Sequence, residues 1–314
     1  MKYFFKNFLK IFFSFLISAI FLYFIFKIIK LEDLKVVFKL PFFLLIFCFS
    51  LYFLSNVLRA LRFKLFLEMN FFDISAMTFM HNMINNIVPL RIGELSILFL
   101  SKDKKIKSIS SLLYSRIFDI LAIISLLFFS FLFYLKNNIN EKIVFLTEIF
   151  IFVFVVFFVF LLVFFYLKIY EKIYEKIKRY KIFKKINIGF FYKKFLEFKN
   201  TISLKKAIIA FVYSFLIWIL NFYIADLIIK YLGINLKFYE IVFVFSFTTI
   251  VSLLPIHGFL GLGTLETAWG FILVLFNIEK ELALISGFVF HIVNIVFFLI
   301  LGLMGFVYYI IKKN

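Results

Sequence analysis

Long apolar runs dominate this sequence, and each is long enough to cross a lipid bilayer, which takes a helix of about 20 largely apolar residues. With 65% hydrophobic residues and 55 Phe among 314 positions, the chain has more apolar surface than one globular core could shield from water. The sequence therefore predicts an all-α polytopic membrane protein, with residues 1–314 forming a single transmembrane domain. We expect six full crossings, at about 8–29, 40–61, 111–135, 143–167, 207–229 and 283–311.

Two further apolar stretches, 74–100 and 240–276, contain residues that interrupt a helix. Proline removes a backbone donor and clashes with the preceding turn, and glycine beside it lowers helix stability further. Such interruptions are tolerated at membrane depth where the freed backbone groups are buried in protein or line a cavity. We therefore predict two broken or re-entrant helices, whose breaks are formed by Pro89, Gly93, Pro255, Gly258, Gly261 and Gly263.

The basic residues predict the orientation in the membrane, because Lys and Arg concentrate in cytoplasmic loops. With the N-terminus inside, 24 of the 36 Lys and Arg lie in cytoplasmic segments and 9 in outside loops. This bias predicts cytoplasmic N- and C-termini in a bacterial inner membrane. The net charge of +19 is spread between apolar spans, so we expect no nucleic-acid binding.

The predicted order of elements contains a symmetry. Residues 8–135 and 143–311 each give two crossings, a broken segment and a further crossing, starting from opposite faces of the membrane. Inverted repeats of this kind recur in transporters. Between them, 168–206 contains 13 basic and 3 acidic residues, and is either a surface helix attracted to anionic lipids or a solvated loop.

Charged side chains within apolar segments are the strongest functional signal, because each costs about 2.5–3.5 kcal/mol at membrane depth unless it is paired or hydrated. The first break combines two amides with an acid and a base, and it predicts either an anion pocket or an internally neutral pair that stabilises the turn. Its candidate substrate-binding residues are Asn85, Asn86, Arg91 and Glu94.

Two further groups of charges lie near the predicted cytoplasmic ends of crossings. Arg116 and Asp119 form either a self-satisfied ion pair or a substrate contact. Arg62 is expected to extend to the surface. Arg59 lies one turn deeper, and the sequence leaves open whether it faces a polar cavity.

In the second break, Glu266 has no basic residue near it in the sequence. It must be protonated, solvated or paired with a distant Arg, which makes it a candidate proton or cation carrier. His81 and His291 lack ligand-spaced partners and Cys48 is the single cysteine, so we predict no metal site, no disulfide and no cofactor.

Three motifs in order resemble the transmembrane, flippase-like domain of lysylphosphatidylglycerol synthases. They are N-x-x-x-P-x-R-x-G-E from Asn85 to Glu94, R-x-x-D from Arg116 to Asp119, and P-x-x-G followed by G-x-G-x-x-E from Pro255 to Glu266. The resemblance covers nearly the whole chain and implies movement of phospholipids between leaflets. Because the sequence ends at Asn314, we expect no aminoacyltransferase domain and no synthase activity.

The leading hypothesis is therefore a lipid transporter that holds an anionic head group with Arg91, Arg59 and Arg116. The alternative is an accessory subunit that recruits a cytoplasmic lipid-modifying enzyme or glycosyltransferase through 168–206. A third hypothesis, an intramembrane enzyme using Glu94, Asp119 or Glu266 as acid or base, is weaker because no nucleophile and no nucleotide-binding motif is evident.

Overall fold

The computed structural model describes residues 16–30, 32–101, 103, 105–137, 203–253 and 259–313, and every regular element among them is helical. Four helices in the described part of the chain are long and apolar enough to cross a membrane. They are α2 (Phe42–Lys64), α5 (Lys105–Asn137), α6 (Leu204–Tyr231) and α9 (Lys280–Lys313). The predicted crossings at 40–61, 111–135, 207–229 and 283–311 are confirmed within a few residues.

The other two predicted crossings differ from these four. The first is described only as an 11-residue helix, α1 (Leu16–Phe26), and is too short in that part to count as a full crossing. The crossing at 143–167 and most of the basic segment 168–206 lie outside the described residues. The described part of the chain therefore supports four of the six predicted crossings, and the count of six stays a prediction.

The first broken segment begins with α3 (Phe71–Ile87), which ends two residues before Pro89. Val88 has φ −78° and ψ 120°, the extended conformation that proline imposes on the residue before it. The chain then forms a 3-10 turn (Pro89–Ser96) and a short helix, α4 (Ile97–Leu100). Both the predicted break and its position are confirmed.

This segment returns to the end of the bundle at which it began. Before α3, the backbone N–H of Glu68 donates to the Asp103 carboxylate at 2.8 Å, and Lys107 Nζ donates to the Glu68 carboxylate at 2.5 Å. Gly93 allows the 3-10 turn to lie against α3, since a Cβ at this position would lie 2.6 Å from the Asn85 Cα and from the Ile84 carbonyl oxygen. Only glycine fits so close an approach.

The second broken segment consists of α7 (Phe238–Leu253), a 3-10 turn (Phe259–Gly261) and α8 (Thr264–Leu275). Residues 254–258, with Pro255 and Gly258, lie outside the described part of the chain. Gly261 and Gly263 have φ of 78° and 83°, a left-handed conformation that glycine adopts without strain. The predicted interruption is thus present, and α8 begins immediately after it.

Helix pairs bring the two breaks together in the interior. α9 packs along α3, and α6 packs along α2, while the 3-10 turns of the two broken segments touch each other. The Tyr231 hydroxyl donates to the Lys39 carbonyl at 2.9 Å, so α2 begins where α6 ends. We call this the Lys39 end of the bundle and the opposite one the Lys64 end. The order helix, broken segment, helix occurs twice, as α2 to α5 and as α6 to α9.

A polar cavity between the broken helices

A polar cavity lies inside the bundle and consists of two adjoining chambers. The charged chamber has a volume of about 390 Å³, and its polar lining includes Arg59, Arg62, His81, Asn85, Glu94, Arg116 and Asp119. The amide chamber has a volume of about 220 Å³, and its polar lining includes Asn221, Thr248, His291 and Asn294. Both chambers are lined by Arg59, Asn82, Asn86, Trp218, Thr249 and Ser252.

Asp119 is the centre of the hydrogen-bond network in the charged chamber. Arg62 donates to its two oxygens at 2.5 and 3.1 Å, and Trp218 Nε1 donates at 3.0 Å. Arg62 also donates to the Ser214 hydroxyl at 2.5 Å. A bidentate pair of this kind fixes orientation as well as charge. The network ties together α2, α5 and α6.

The expectation that Arg62 extends to the surface is wrong, since only 3% of its side chain is exposed. Its partner Asp119 lies 57 positions away, so the sequence around Arg62 gives no sign of the pairing. A guanidinium at a helix end extends to water only when no buried partner offers better hydrogen bonds. Here the carboxylate and the serine hydroxyl offer them.

Glu94 connects the first break to α5. Its carboxylate lies 2.9 Å from Arg116 Nη2, and Arg116 Nη1 lies 3.9 Å from Asp119. The predicted Arg116–Asp119 pair is therefore present but long. Arg91 lies in the 3-10 turn and its side chain is outside the described part, so its pairing with Glu94 stays a prediction.

Arg59 lies at the junction of the two chambers. Its Nε is buried and has no hydrogen-bond partner among the described residues. In the charged chamber, three described guanidinium groups face two carboxylates, which leaves one positive charge in excess. The Nε atoms of Arg62 and Arg116 are buried without a partner as well, but both of those guanidinium groups pair with a carboxylate. A half-buried guanidinium with no ion pair among the described residues favours an anionic ligand, because an unsatisfied donor at a buried site costs free energy.

The amide chamber is polar but mostly uncharged. Its amides and hydroxyls come from α3, α6, α7 and α9, and aromatic rings of Trp218, Phe245, Trp269 and Phe290 form the walls between them. Asn221 and Asn294 occur singly within long apolar runs. That isolation is the sequence signal for both, since polar residues in membrane helices usually face the bundle interior.

Glu266 does not line the amide chamber itself but contacts His291, which does. It is completely buried, with one oxygen accepting from the Gly263 backbone N–H at 2.7 Å and the other 2.6 Å from His291 Nδ1. The carboxylate thus caps α8 and orients the ring of His291, which lines the chamber. The partner of Glu266 is this histidine, 25 positions along the chain, and not the distant Arg that the sequence analysis considered.

The structure brings six of the predicted site residues around the charged chamber: Asn85, Asn86, Arg59, Arg116, Asp119 and Glu94. Sequence analysis missed the amide chamber and the role of Arg62. Among the described residues, no group of three His, Cys, Asp or Glu is placed to hold a metal ion.

An apolar groove lies on the far side of the α2–α9 contact. It has a volume of about 890 Å³ and is lined by Phe38, Phe42, Phe49, Val293, Phe297 and neighbouring apolar residues, with Lys35 among its lining. The ring of Phe297 lies 5.6 Å from that of Tyr52, measured between centroids, and Tyr52 lines the amide chamber. Two aromatic side chains therefore separate the polar cavity from the groove.

Membrane-crossing helices, two broken helices and a polar cavity between them define a multi-pass helical membrane protein. A family profile described as lysylphosphatidylglycerol synthase TM region matches residues 11–302, and the chain belongs to this family. The match confirms the resemblance inferred from the three motifs and indicates a membrane domain involved in lipid modification or transport. No curated protein and no solved structure matched the chain.

Proposed function

We propose that this protein is a lipid transporter that moves an anionic phospholipid, or a lipid-linked anionic head group, between the leaflets of a bacterial inner membrane. The observation that carries the proposal is Arg59, a guanidinium at the junction of two polar chambers whose buried Nε has no partner among the described residues. A phosphate would supply the missing acceptor and balance the excess positive charge.

The energetics favour a phosphate at this position. A lone charge costs about 2.5–3.5 kcal/mol at membrane depth on insertion scales, so an unpaired guanidinium is retained only where another role compensates. A charge-assisted hydrogen bond recovers about 1.5–3 kcal/mol. Arg116 also lines the charged chamber, and Arg91 on the adjacent 3-10 turn remains a proposed further contact.

The architecture supports a path for the head group. Two broken helices meet at the cavity, as in transporters whose substrate sites lie where discontinuous helices come together. We propose that 8–135 and 143–311 form an inverted repeat around this point. The acyl chains remain in the lipid phase while the head group passes the polar interior. On this proposal the protein is not an enzyme and needs no cofactor.

The test is transbilayer movement of fluorescent phosphatidylglycerol in liposomes that contain the purified protein, followed by quenching of the outer leaflet. Arg59→Ala should slow lipid movement about tenfold or more, the equivalent of losing roughly 1.4 kcal/mol of phosphate binding. Arg59→Lys should restore part of the rate, because an ammonium lacks the planar fork of a guanidinium.

Lys107→Gln is the matched control. It removes one positive charge from the Lys64 end, where Lys107 pairs with the well-exposed Glu68, and exposed pairs contribute little. The proposal fails if a folded Arg59→Ala protein moves lipid at the wild-type rate. If the wild-type protein moves no lipid of any head group, the accessory-subunit hypothesis gains, and deletion of 168–202 should then abolish recruitment of a lipid-modifying enzyme.

A further inference from the structure

The two threonine hydroxyls of the amide chamber present only acceptors to its interior. Thr248 and Thr249 each donate their single hydroxyl hydrogen to a backbone carbonyl one turn earlier on α7, at 2.9 and 2.8 Å. A hydroxyl that has donated its hydrogen keeps only its lone pairs. Both side chains line the chamber, so a ligand there meets two oxygen acceptors.

The amide groups present both kinds of partner. Asn221 donates to the Ile217 carbonyl at 2.6 Å, and Asn294 donates to the Phe290 carbonyl at 2.8 Å. Asn86 makes the same contact within α3 at 2.8 Å. These contacts fix the orientation of each amide, since only the nitrogen can donate to a carbonyl. Each amide keeps one N–H and its Oδ1 oxygen for a ligand.

The charges around the amide chamber distinguish a cationic head group from the other groups that could bind there. Arg59, at the junction, is the one Lys, Arg, Asp or Glu among the described residues that line the amide chamber. Glu266 is fully buried and its oxygens contact Gly263 and His291. An ammonium group would therefore enter the chamber with no carboxylate facing it. Desolvating an unpaired charge is costly, so the chamber disfavours a cationic group.

Hydrogen bonding distinguishes the two remaining candidates for the amide chamber, a phosphate group and a hydroxyl-bearing group. A phosphate group can only accept hydrogen bonds. The two threonine oxygens have no hydrogen left to donate, so they could not bond to it. A hydroxyl both donates and accepts, which suits a surface of threonine oxygens, amide oxygens and amide N–H groups. The aromatic walls of Trp218 and Trp269 provide apolar contact for the C–H groups between such hydroxyls.

We propose that the amide chamber binds the neutral, hydroxyl-bearing part of a lipid head group, a glycerol or cyclic polyol, while its phosphate lies at Arg59. This inference rests on the proposed lipid transport and narrows it to phospholipids whose head group carries hydroxyls and no ammonium.

The test measures binding rather than transport, using the full-length protein in detergent and short-chain lipids with identical tails. The probes are dihexanoyl phosphatidylglycerol, phosphatidylinositol, phosphatidic acid and phosphatidylethanolamine. Phosphatidylglycerol or phosphatidylinositol should bind at least tenfold more tightly than the other two, and which of them binds better distinguishes a glycerol from a cyclic polyol.

Two chamber variants and one matched control locate the selectivity. Asn221→Leu and the nearly isosteric Thr249→Val should lower affinity for the hydroxyl-bearing lipid to that for phosphatidic acid and leave phosphatidic acid binding unchanged. Thr78→Val is the control, because Thr78 is also buried and also donates to its own helix, at 2.6 Å to the Ile74 carbonyl, and it should keep the selectivity.

Two results overturn the inference while leaving lipid transport intact. One is phosphatidylethanolamine or phosphatidic acid binding as tightly as the hydroxyl-bearing lipids. The other is Thr249→Val weakening all four lipids equally, or leaving selectivity unchanged. Arg59→Ala should weaken every phosphate-bearing probe. If no probe binds to the folded wild-type protein, the proposed function fails as well, which separates that outcome from the other two.

Discussion

The two chambers satisfy their polar groups in opposite ways. In the charged chamber, Arg62 binds Asp119 and Arg116 binds Glu94, so each pair joins two different elements of the fold. In the amide chamber, Asn221 and Asn294 donate to carbonyls of their own helices. The charged chamber is therefore part of what holds the bundle together, whereas the amides can serve a ligand without carrying helix–helix contacts.

This contrast predicts that substitutions in the charged chamber mainly lower stability and that substitutions in the amide chamber mainly change selectivity. Arg59 is the exception within the charged chamber, because Arg62 and Arg116 each pair with a carboxylate whereas Arg59 forms no ion pair among the described residues. Substituting it should affect lipid movement far more than folding.

The largest effect is expected for Arg62→Ala. This change leaves the Asp119 carboxylate buried with one donor from Trp218 and a distant Arg116, and breaking a buried pair in this way costs about 3–5 kcal/mol. Thermal unfolding of the purified protein in detergent measures the loss, which should appear as a clear fall in Tm and in the yield of folded protein.

The matched variant for Arg62 is the double change Arg62→Leu with Asp119→Leu. Removing both charges avoids the buried unpaired carboxylate, so the double variant should be more stable than Arg62→Ala. An Arg62→Ala protein with wild-type Tm would show that the pair contributes nothing to folding, and the proposed contrast between the chambers would be lost.

A smaller effect is expected for Glu266→Gln, which tests a charged cross-helix support of the amide chamber. The amide keeps a single acceptor oxygen where the carboxylate serves both the Gly263 N–H and His291 Nδ1. Losing one charge-assisted hydrogen bond in a buried site costs about 1.5–3 kcal/mol. Tm should fall by less than in Arg62→Ala, while the folded fraction keeps its rate of lipid movement.

The same variant decides between two roles of Glu266. A supporting role predicts reduced stability with transport retained. A proton or cation carrier, as the sequence suggested, predicts the reverse: wild-type Tm with transport abolished. Asn277, at the turn after α8, lies outside both chambers' linings as described, so Asn277→Gly serves as a control for general loosening of this segment.

The features that the sequence predicted correctly are local ones. Pro89 excludes the preceding residue from a helix wherever the segment lies, and the apolar runs at 40–61 and 283–311 need no partner to be recognised. The three family motifs are likewise short and contiguous, and the family match over residues 11–302 agrees with them.

The features that could not be predicted depend on contacts between distant residues. Whether Arg59 faces a cavity depends on which side of α2 meets α3 and α6, and one sequence does not determine that. Arg62 was expected at the surface because Asp119 lies 57 positions away. His291 has no ligand-spaced neighbour in sequence, and only the packing of α9 beside α8 brings it to Glu266.

The smallest effect on stability and transport is expected for cysteine substitutions that determine which leaflet the charged chamber faces. Cytoplasmic termini, expected from the basic residues, place the Lys64 end of the bundle inside and the Lys39 end outside.

Cys48 is the single cysteine, is fully buried and lies away from both chambers as described. Cys48→Ala removes one buried atom beyond Cβ and should cost about 1 kcal/mol or less. In that background, Lys39→Cys and Lys64→Cys place a thiol at the exposed positions that flank α2. A membrane-impermeant maleimide added to intact spheroplasts should label the first and not the second, and disruption of the membrane should make the second reactive. Labelling of Lys64→Cys alone in intact spheroplasts would reverse the topology and turn the charged chamber toward the outer leaflet.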